Sequence, residues 1–253
     1  MIISPKEFSE THRVTYYETD NQNRVTIQML VNMAILVSED QNESLGLTEE
    51  HMLSFGVTWV VIQYDMTIDH LPKTDEHITL KTRSTSYNKF FAFREFWILD
   101  ADGQQCAYIK SLWVMMSMTK RKLAPIPPEL VEPYHSEAVK LTPRLKKPKR
   151  IDNHAAHREY RIRYSDIDTN IHVNNTRYLD WMIDVLPYEF LVHHQPTHIN
   201  LKYDNEVRYG NVIESDYEQL DVDGQLVTKH EINNNGKLAA VANFTWRQDS
   251  EVD

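Results

Sequence analysis

Apolar residues recur at helical spacing in two stretches of the chain. In the first, from Thr26 to Ser44, they lie three or four residues apart, at Ile27, Leu30, Ala34 and Val37. In the second, from Arg177 to Leu186, they are Tyr178, Trp181, Met182 and Val185. Gly46 and Pro187 follow the two stretches as stop signals. We therefore expect two helices, each apolar over a wide arc and each well buried.

Strand signals dominate the rest of the chain. Eight segments are rich in β-branched and aromatic residues: Val57–Ile68, Ile78–Ser86, Phe90–Leu99, Cys106–Met118, His198–Tyr203, Val212–Leu220, Leu226–Ile232 and Leu238–Trp246. Three residue pairs, Asp102-Gly103, Asp223-Gly224 and Asn235-Gly236, fall between such segments. Both central residues of a type I′ turn need positive φ, which these residue types tolerate, so hairpins are expected there. One helix followed by an antiparallel meander, twice over, predicts an α+β fold.

An internal repeat organises the chain. Residues 13–20 and 161–168, RVTYYETD and RIRYSDID, both read Arg-aliphatic-x-Tyr-x-acid-x-Asp at an offset of 148 positions. A second match closes each copy at an offset of 133, where Gly103, Ala107 and Trp113 align with Gly236, Ala240 and Trp246. Two matches in the same order indicate two copies of one fold, at roughly 1–130 and 155–248. We expect each sheet to wrap its own helix and the two sheets to join.

The join between the copies is rich in proline. Residues 123–150 hold six of the ten prolines, at positions 125, 127, 128, 133, 143 and 148. Proline lacks a backbone N–H and restricts the residue before it, so this stretch suits neither a central strand nor a long helix. We expect domains at 1–130 and 155–253, with an extended linker, 131–154, that lies over the surface.

Composition narrows the class of protein. The 253 residues include one cysteine, and 27 Lys or Arg against 37 Asp or Glu give a net charge of −10. One cysteine cannot form an internal disulfide, and no Cys/His spacing suits zinc, so neither a metal nor a cofactor is expected. The acidic balance argues against nucleic-acid binding, and no apolar run approaches the ~18 residues of a membrane span. Residues 1–7 lack the features of a signal peptide, so we expect a reduced, cytoplasmic protein.

A dense polar cluster lies where the second copy passes from a strand to its helix. It comprises Asp166, Asp168, Asn170, His172, Asn174 and Asn175. A helix N-terminus offers N–H donors and a partial positive charge, which suit a developing oxyanion. The alternative is a polar turn in which one of the two last asparagines caps the helix. The aligned residues of the first copy are Glu18, Asp20, Gln22 and Arg24. Because arginine cannot act as a base, we infer one active copy and one degenerate copy that serves as scaffold or lines the substrate pocket.

The same residues carry a family signature. Residues 168–181, DTNIHVNNTRYLDW, resemble the D-x-N-x-H-V-N-N-x-x-Y-x-x-W motif of the acyl-ACP thioesterases, and the resemblance covers nearly the whole chain. It implies a tandem double hot-dog fold, in which two antiparallel sheets each wrap a long central helix. It also implies hydrolysis of the thioester of fatty acyl-[acyl-carrier-protein], with release of free fatty acid and holo-ACP.

A second segment of the family supplies a carboxylate. Residues 201–207, LKYDNEV, resemble a Y-R-R-E-C-type segment, with Glu206 on the acid and Val207 where plant enzymes often carry cysteine. The lone thiol, Cys106, lies in the other copy and aligns with Ala239, a packing position. We therefore expect Cys106 to be a small buried apolar residue, and we expect no thiolate nucleophile at the site.

The resemblance implies a set of roles for water attack on a thioester. Glu206, its pKa raised by partial burial, would be the general base that takes a proton from water. Asn170 would hold the water or the carbonyl, and His172 would hydrogen-bond the carbonyl or protonate the leaving thiolate. Asp168 would orient Asn170 and His172. The oxyanion would lie at the helix N-terminus, near Asn174 and Asn175. The roles of Glu206 and His172 are open to exchange.

The charge distribution offers a surface for the carrier protein. Residues 140–163 hold nine Lys or Arg and two Asp or Glu. One interpretation is a solvated linker and strand; the other is a docking patch for an acidic partner. Acyl carrier protein is strongly acidic, and the candidates to dock it are Lys120, Arg121, Lys122, Arg144, Lys146, Lys147, Lys149 and Arg150.

Two other functions remain as alternatives to an acyl-ACP thioesterase. They are an acyl-CoA thioesterase of the same fold and a non-catalytic hot-dog protein that binds acyl thioesters. We expect the protein to be a monomer or a homodimer.

Overall fold

A computed structural model describes residues 4–141, 143–153, 156–169 and 171–249. The chain divides into two compact units. Unit 1 contains residues 1–25, 30–64 and 69–145, and unit 2 contains residues 26–29, 65–68 and 146–253. Each unit combines an antiparallel sheet with few helices, so the expected α+β class is confirmed at this level.

The sheet of unit 1 has the strand order β1-β3-β4-β5-β2. These strands are β1 Glu7–Arg13, β2 Val57–Ile68, β3 His77–Tyr87, β4 Phe91–Leu99 and β5 Gln105–Ser117. Strands β1, β3, β4 and β5 pair antiparallel in that order. Two short strands extend the sheet: β6 Leu123–Ala124 beside β5, and β7 Glu137–Ala138 parallel to β3. The helices are α1 Ile27–Ser44 and α2 Glu49–Ser54.

Unit 2 has the equivalent order, β8-β10-β11-β12-β9, with neighbouring strands antiparallel. Its strands are β8 Ala156–Arg161, β9 His194–Tyr203, β10 Val212–Val222, β11 Gln225–Asn234 and β12 Lys237–Gln248. Its helices are α3 Arg177–Asp184 and α4 Tyr188–His193. All eight predicted strands are therefore present, most of them longer by a few residues than the apolar pattern alone indicated.

The repeat extends to individual hydrogen bonds. A 3₁₀ turn at Tyr16–Glu18 has its counterpart at Tyr164–Asp166, 148 positions later. The bridge between Thr19 and Val25 is matched by one between Ile167 and Val173. The N–H of Asp20 donates to Arg24 O at 2.8 Å, and the N–H of Asp168 donates to His172 O at the same distance. The two copies thus share one fold down to the loop that carries the polar cluster.

The two helices differ in how far they match expectation. Helix α1 has its four predicted apolar positions buried and ends just before Gly46, whose φ is +72°. Helix α3 has only eight residues, so the expectation of a long central helix in the second copy is wrong. Pro187 precedes α4 with an extended φ and ψ, and the chain turns there into a second short helix. No helix among the described residues is long and apolar enough to span a bilayer.

Two of the three predicted turns have the expected backbone. Asp223 and Gly224 have φ of +55° and +79°, and Asn235 and Gly236 have φ of +51° and +72°, as a type I′ turn requires. In the β4–β5 turn only the glycine, Gly103, has positive φ. There the Asp100 carboxylate accepts the N–H groups of Asp102 and Gln104, at 3.0 and 2.8 Å, and so holds a wider loop. The type I′ prediction is wrong at that turn.

The proline-rich segment is only partly a surface connection. Two 3₁₀ turns, Pro128–Leu130 and Glu132–Tyr134, satisfy the prediction that neither a long strand nor a long helix forms. Leu130, Val131 and Tyr134, however, are at most 2% exposed and pack into a core cluster of unit 1. The expected start of a surface linker at residue 131 is therefore wrong, because apolar side chains between the prolines bury themselves in the first copy.

Candidate active site

The polar cluster of unit 2 is built on a short closed loop after the 3₁₀ turn. The N–H of Asp168 donates to His172 O at 2.8 Å, and the N–H of Ile171 donates to Asp168 O at 3.0 Å. The loop closes through Ile171, whose φ is +64°. For a residue with a Cβ this left-handed conformation costs roughly 1–2 kcal/mol. His172 is thereby fixed at the point where the loop returns to its neighbours.

His172 meets the carboxylate that the sequence nominated as the base. Its Nε2 lies 3.1 Å from Glu206 Oε2, with 19% and 45% of the respective side chains exposed. Glu206 lies in a segment tied on both sides: Ala239 O accepts from the N–H of Asp204 at 2.8 Å, and Val207 O accepts from the N–H of Val173 at 3.3 Å. An imidazole and a carboxylate at this distance can exchange a proton, and both remain open to solvent.

Asp168 positions the backbone of His172. Its Oδ1 lies 3.4 Å from the backbone nitrogen of His172, whose N–H it accepts. The predicted orienting role thus has a physical route through the loop backbone. Asn170, the other residue that Asp168 was expected to orient, lies outside the described residues.

Asp166 stabilises the loop through hydrogen bonds to its buried carboxylate. It is fully buried and accepts three hydrogen bonds from Arg163: from the backbone N–H at 2.8 Å, from Nη2 at 2.8 Å and from Nε at 3.2 Å. The guanidinium of Arg177 lies 3.7 Å away. Burial alone would raise the pKa of Asp166, but these hydrogen bonds and positive charges hold the pKa below its ordinary value. Asp166 is therefore an ionised anchor, which suits positioning and not proton donation.

The helix N-terminus differs from its predicted arrangement. The N-cap of α3 is Thr176, so the prediction of a cap at Asn174 or Asn175 is wrong. Asn174 Oδ1 accepts from the backbone N–H and the hydroxyl of Thr176, at 2.9 and 2.8 Å, in an Asx turn that precedes the helix. The N–H of Asn174 donates to Asp166 O at 2.9 Å. The N–H groups of Asn174 and Thr176 are thus engaged within the fold and are not the expected oxyanion donors.

Asn175 is held through its carbonyl. The hydroxyl of Tyr203, at the end of β9, donates to Asn175 O at 2.7 Å. Because Tyr203 lies three residues before Glu206, this bond ties the start of α3 to the segment that carries the carboxylate. The two halves of the candidate site are therefore joined at a second point besides the contact between His172 and Glu206.

The first copy replaces this chemistry with an internal ion pair. Asp20 Oδ1 accepts the backbone N–H groups of Gln22 and Arg24, at 2.8 and 3.0 Å, and Asp20 Oδ2 lies 3.4 Å from the Arg24 guanidinium. Arg24 is 8% exposed. In the second copy, His172 contacts a carboxylate and is partly exposed to solvent. In the first copy, the equivalent Arg24 instead pairs with Asp20 of its own loop. The inference of a single active copy is consistent with this geometry.

The lone thiol is placed where a nucleophile cannot work. Cys106 is fully buried in β5, as its alignment with Ala239 indicated. Burial, and to a lesser extent the charges of Asp100, Glu76 and Asp69, raise the pKa of this thiol to about 12. The thiol is therefore protonated at neutral pH. Val207, at the position where plant relatives often have cysteine, is buried as well.

The predicted docking residues divide between the two units. In unit 1, Lys120, Arg121 and Lys122 occupy an exposed turn after β5, where the N–H of Arg121 donates to Ser117 O at 2.9 Å. Arg144 is also exposed. The other four, Lys146, Lys147, Lys149 and Arg150, lie in unit 2 on residues 146–153, a segment that we call the strap.

The strap is fastened to side chains of the unit 2 sheet. The Asn243 side chain accepts from the backbone N–H of Lys149 at 2.7 Å and donates to Lys149 O at 2.9 Å. The Asn200 amide donates to Lys146 O. Lys146, Lys147 and Lys149 are exposed. The basic side chains are therefore mounted on a backbone held in register, which a flexible linker would not provide.

Buried charged side chains of the sheet bind residues 150–152 of the strap. Glu231, 4% exposed, pairs with Arg150, whose Nη2 lies 2.8 Å from Glu231 Oε2, and accepts the backbone N–H of Ile151 at 2.9 Å. Lys229 lies 2.6 Å from Asp152 Oδ2 and 2.9 Å from Glu218 Oε2. The charge of Arg150 is thus compensated within the fold, which leaves the three strap lysines as its cationic surface.

Sequence reasoning overlooked two groups of residues. The first is the set of strap anchors, Glu218, Lys229 and Glu231, which are buried polar residues on strands. Their burial depends on a distant segment that the strand pattern does not reveal. The second is Arg163, which pairs with Asp166 and occupies an unmatched position of the repeat, so the repeat gave no signal for it.

Comparison with known proteins agrees with the motifs. The family model described as Acyl-ACP thioesterase N-terminal domain matches residues 5–134, and the one described as Acyl-ACP thioesterase C-terminal domain matches residues 149–248. A chloroplastic palmitoyl-acyl carrier protein thioesterase of Gossypium hirsutum is 26% identical over 82% of this chain and 54% of its own length. A chloroplastic oleoyl-acyl carrier protein thioesterase of Coriandrum sativum is 26% identical over 92% and 68%. The chain thus spans about half to two thirds of these curated relatives.

Solved structures show the same architecture. A provisionally named oleoyl thioesterase from Lactobacillus plantarum is 45% identical, with 99% of each chain covered and a TM-score of 0.94. The 12:0-ACP thioesterase from Umbellularia californica is 21% identical, covers 96% of this chain and 94% of its own, and has a TM-score of 0.87. The second likeness concerns the fold alone.

Proposed function

The chain belongs to the acyl-ACP thioesterase family, and from this premise we propose that it hydrolyses the thioester of a fatty acyl-[acyl-carrier-protein] to free fatty acid and holo-ACP. The observation that carries the proposal is the 3.1 Å contact between His172 and Glu206, which lies within the unit that holds the family motif. Water is the nucleophile, because the chain's one thiol is buried and protonated. The finer fold proposal is a tandem double hot-dog in which the second central helix is short.

Glu206 is the proposed general base. Its carboxylate takes a proton from water as the water oxygen bonds to the thioester carbonyl carbon. The carbon–sulfur bond then breaks, and the sulfur leaves as a thiolate. His172, within hydrogen-bond distance of Glu206, receives the proton from the carboxylate and delivers it to that sulfur. The products are the carboxylic acid and the free thiol of the carrier, so protons and electrons balance without a cofactor.

Other residues of the cluster position these two groups. Asp168 holds the backbone of His172, and Asp166 fixes the loop from beneath as an ion. Asn170 is proposed to hold the water or the carbonyl through its side-chain amide, as the family motif implies. We propose that the first copy is degenerate, that the connection between the copies begins after Tyr134, and that the copy at 155–253 is catalytic.

The proposed partner is an acidic carrier protein. Its support is the row of exposed lysines on the strap, 146, 147 and 149, whose backbone is held by Asn200 and Asn243. A preorganised cationic surface attracts an acidic partner from a distance, and salt screens that attraction. The exposed turn at residues 120–122 and the exposed Arg144 are the other candidates for this surface.

The test is a turnover assay with a panel of C8 to C18 acyl-ACPs and the matching acyl-CoAs, in which free acid and free thiol are measured. Replacement Glu206→Gln keeps the size of the side chain but removes the base, so turnover should fall by about 10²–10⁴-fold while the thermal unfolding midpoint stays unchanged. The matched control is Glu214→Gln, an exposed carboxylate on β10. Near wild-type turnover in the Glu206 variant would remove this residue from the chemistry. A wild-type preference for acyl-CoA would favour the alternative substrate.

A further inference from the structure

Ile171 occupies a backbone conformation that its side chain disfavours. Its φ of +64° places a β-branched residue in the left-handed region, where glycine, asparagine and aspartate are the usual occupants. The equivalent position of the first copy, 148 residues earlier, is Asn23, with φ of +59°. The same loop closure is therefore made once with a residue suited to it and once with a residue that strains it.

Folding gives no reason for the isoleucine. Its side chain is 78% exposed, so it contributes little to the core. Asn23, by contrast, also accepts the backbone N–H of Thr74 with its side-chain oxygen at 3.3 Å. An apolar side chain that is both strained and exposed at a loop beside proton-transfer groups points to a use outside the folded chain itself.

The position of Ile171 says what it can touch. It immediately precedes His172 in the chain, closes the loop onto Asp168 through its own N–H, and has an exposed side chain. A thioester delivered by a carrier must bring its sulfur to this point on a flexible arm. The acyl chain is the part that a fatty-acid enzyme buries, whereas the arm crosses the surface.

We propose that Ile171 is a substrate-binding residue that contacts the apolar methylenes of the pantetheine arm next to the scissile sulfur. The inference rests on the proposed function. The contact is specific for the arm, which acyl-ACP and acyl-CoA share, and is indifferent to the length of the acyl chain. Binding covers a side chain that water otherwise surrounds, and this compensates for the strained backbone.

The test uses three variants of the full chain. Ile171→Asn restores the residue found in the first copy, Ile171→Gly removes the side chain and the strain together, and Ile171→Leu keeps an apolar side chain. The substrates are an acyl-ACP, the matching acyl-CoA and the S-methyl thioester of the same acyl group, which lacks the methylenes of the arm.

Ile171→Asn and Ile171→Gly should lower kcat/KM about tenfold on the two arm-bearing substrates, mainly through KM, and less than twofold on the S-methyl thioester. Ile171→Leu should stay within threefold of wild type. The unfolding midpoint of Ile171→Asn should stay level or rise by about 2–4 °C, because the left-handed strain is relieved. A loss of binding without a loss of stability is what a purely structural role would not produce.

Wild-type kcat/KM in Ile171→Asn on both arm-bearing substrates would overturn the proposal. An equal loss on all three substrates would also overturn it, since the effect would then act through His172. Binding of an S-decyl-CoA thioether, measured by calorimetry, needs no hydrolysis. Its dissociation constant should rise about tenfold in Ile171→Asn, and an unchanged constant would refute the contact. If wild type binds this thioether about tenfold more tightly than Ile171→Asn but hydrolyses none of the three esters, the proposed function fails while the contact stands.

Discussion

Replacement of Asp166 by asparagine tests how the loop beneath the candidate site is held. The wild-type carboxylate is fully buried and receives two charge-assisted hydrogen bonds from the guanidinium of Arg163, at 2.8 and 3.2 Å, besides one from its backbone N–H. An asparagine can accept the backbone bond with Oδ1. Its NH₂ group, however, would then replace the oxygen that accepts from Arg163 Nη2, so that bond is lost, and the bond from Arg163 Nε to Oδ1 no longer has a charged acceptor.

The expected destabilisation follows from these bonds. Hydrogen bonds to charged groups contribute about 1.5–3 kcal/mol each. The Arg163 side chain is 63% exposed and is rehydrated in the variant, which reduces the loss. We expect the free energy of unfolding to fall by about 2–3 kcal/mol. For a protein of this size that lowers the unfolding midpoint by roughly 4–12 °C.

The effect should depend on pH in a defined direction. The pKa of Asp166 in the folded protein is below that of the unfolded chain, which is about 3.8. Its stabilising contribution is therefore fully present above that value and is lost as the pH falls through the folded-state pKa. The gap between wild type and Asp166→Asn should be largest near pH 7 and should shrink in acid below about pH 4.

The repeat supplies a matched control. Glu18 is the equivalent carboxylate of the first copy; it is 5% exposed, accepts the N–H of Thr15 at 2.6 Å and lies 3.0 Å from His12 Nε2. Glu18→Gln should also lower the unfolding midpoint, whereas only Asp166→Asn should reduce turnover at a temperature where both are folded. The reasoning fails if Asp166→Asn unfolds within 1 °C of wild type at pH 7, or if Glu18→Gln loses as much turnover.

Two further outcomes are expected. Asn243→Ala removes both side-chain hydrogen bonds to the backbone of Lys149. The value of kcat/KM on acyl-ACP should therefore fall about three- to tenfold at low salt and equal that of wild type at 0.5 M salt, with no change on acyl-CoA. A loss that does not depend on salt, or an equal loss on both substrates, would contradict the proposed docking surface. Cys106→Ala should keep full turnover and the same pH profile, because the thiol is protonated and buried. If circular dichroism shows that this variant is folded and the turnover assay shows a loss of activity, a thiol mechanism would have to be considered again.

Local pattern was sufficient for most elements of the fold. Richness in β-branched and aromatic residues located eight of the twelve strands of the described residues, and the apolar stripe located α1, because both signals act over a few neighbouring residues. The pairs Asp223-Gly224 and Asn235-Gly236 adopted the predicted turns for the same local reason. The pair at residues 102 and 103 did not, because Asp100 offered its carboxylate to two backbone N–H groups and stabilised another loop.

Several features of the candidate site were not contained in the pattern. The prediction that Asn174 caps the helix failed because its N–H and side chain serve Asp166 and Thr176 instead. The second helix is short, and Val131 and Tyr134 of the expected linker are buried in the core of unit 1. In each case a residue has several possible hydrogen-bond or packing partners, some of them distant in the sequence. The spacing of residues along the chain does not show which partner is preferred.

The sequence by itself determined the repeat, the family, the strands and the identity of the polar residues, because these follow from residue types at short range. Tertiary structure decided which of those residues meet. The 3.1 Å contact between His172 and Glu206 depends on a loop and a strand end that lie far apart in the chain. The burial of Glu231 likewise depends on a strap from another segment. Distances and burial arise from how the chain folds back on itself, and only the folded molecule defines them.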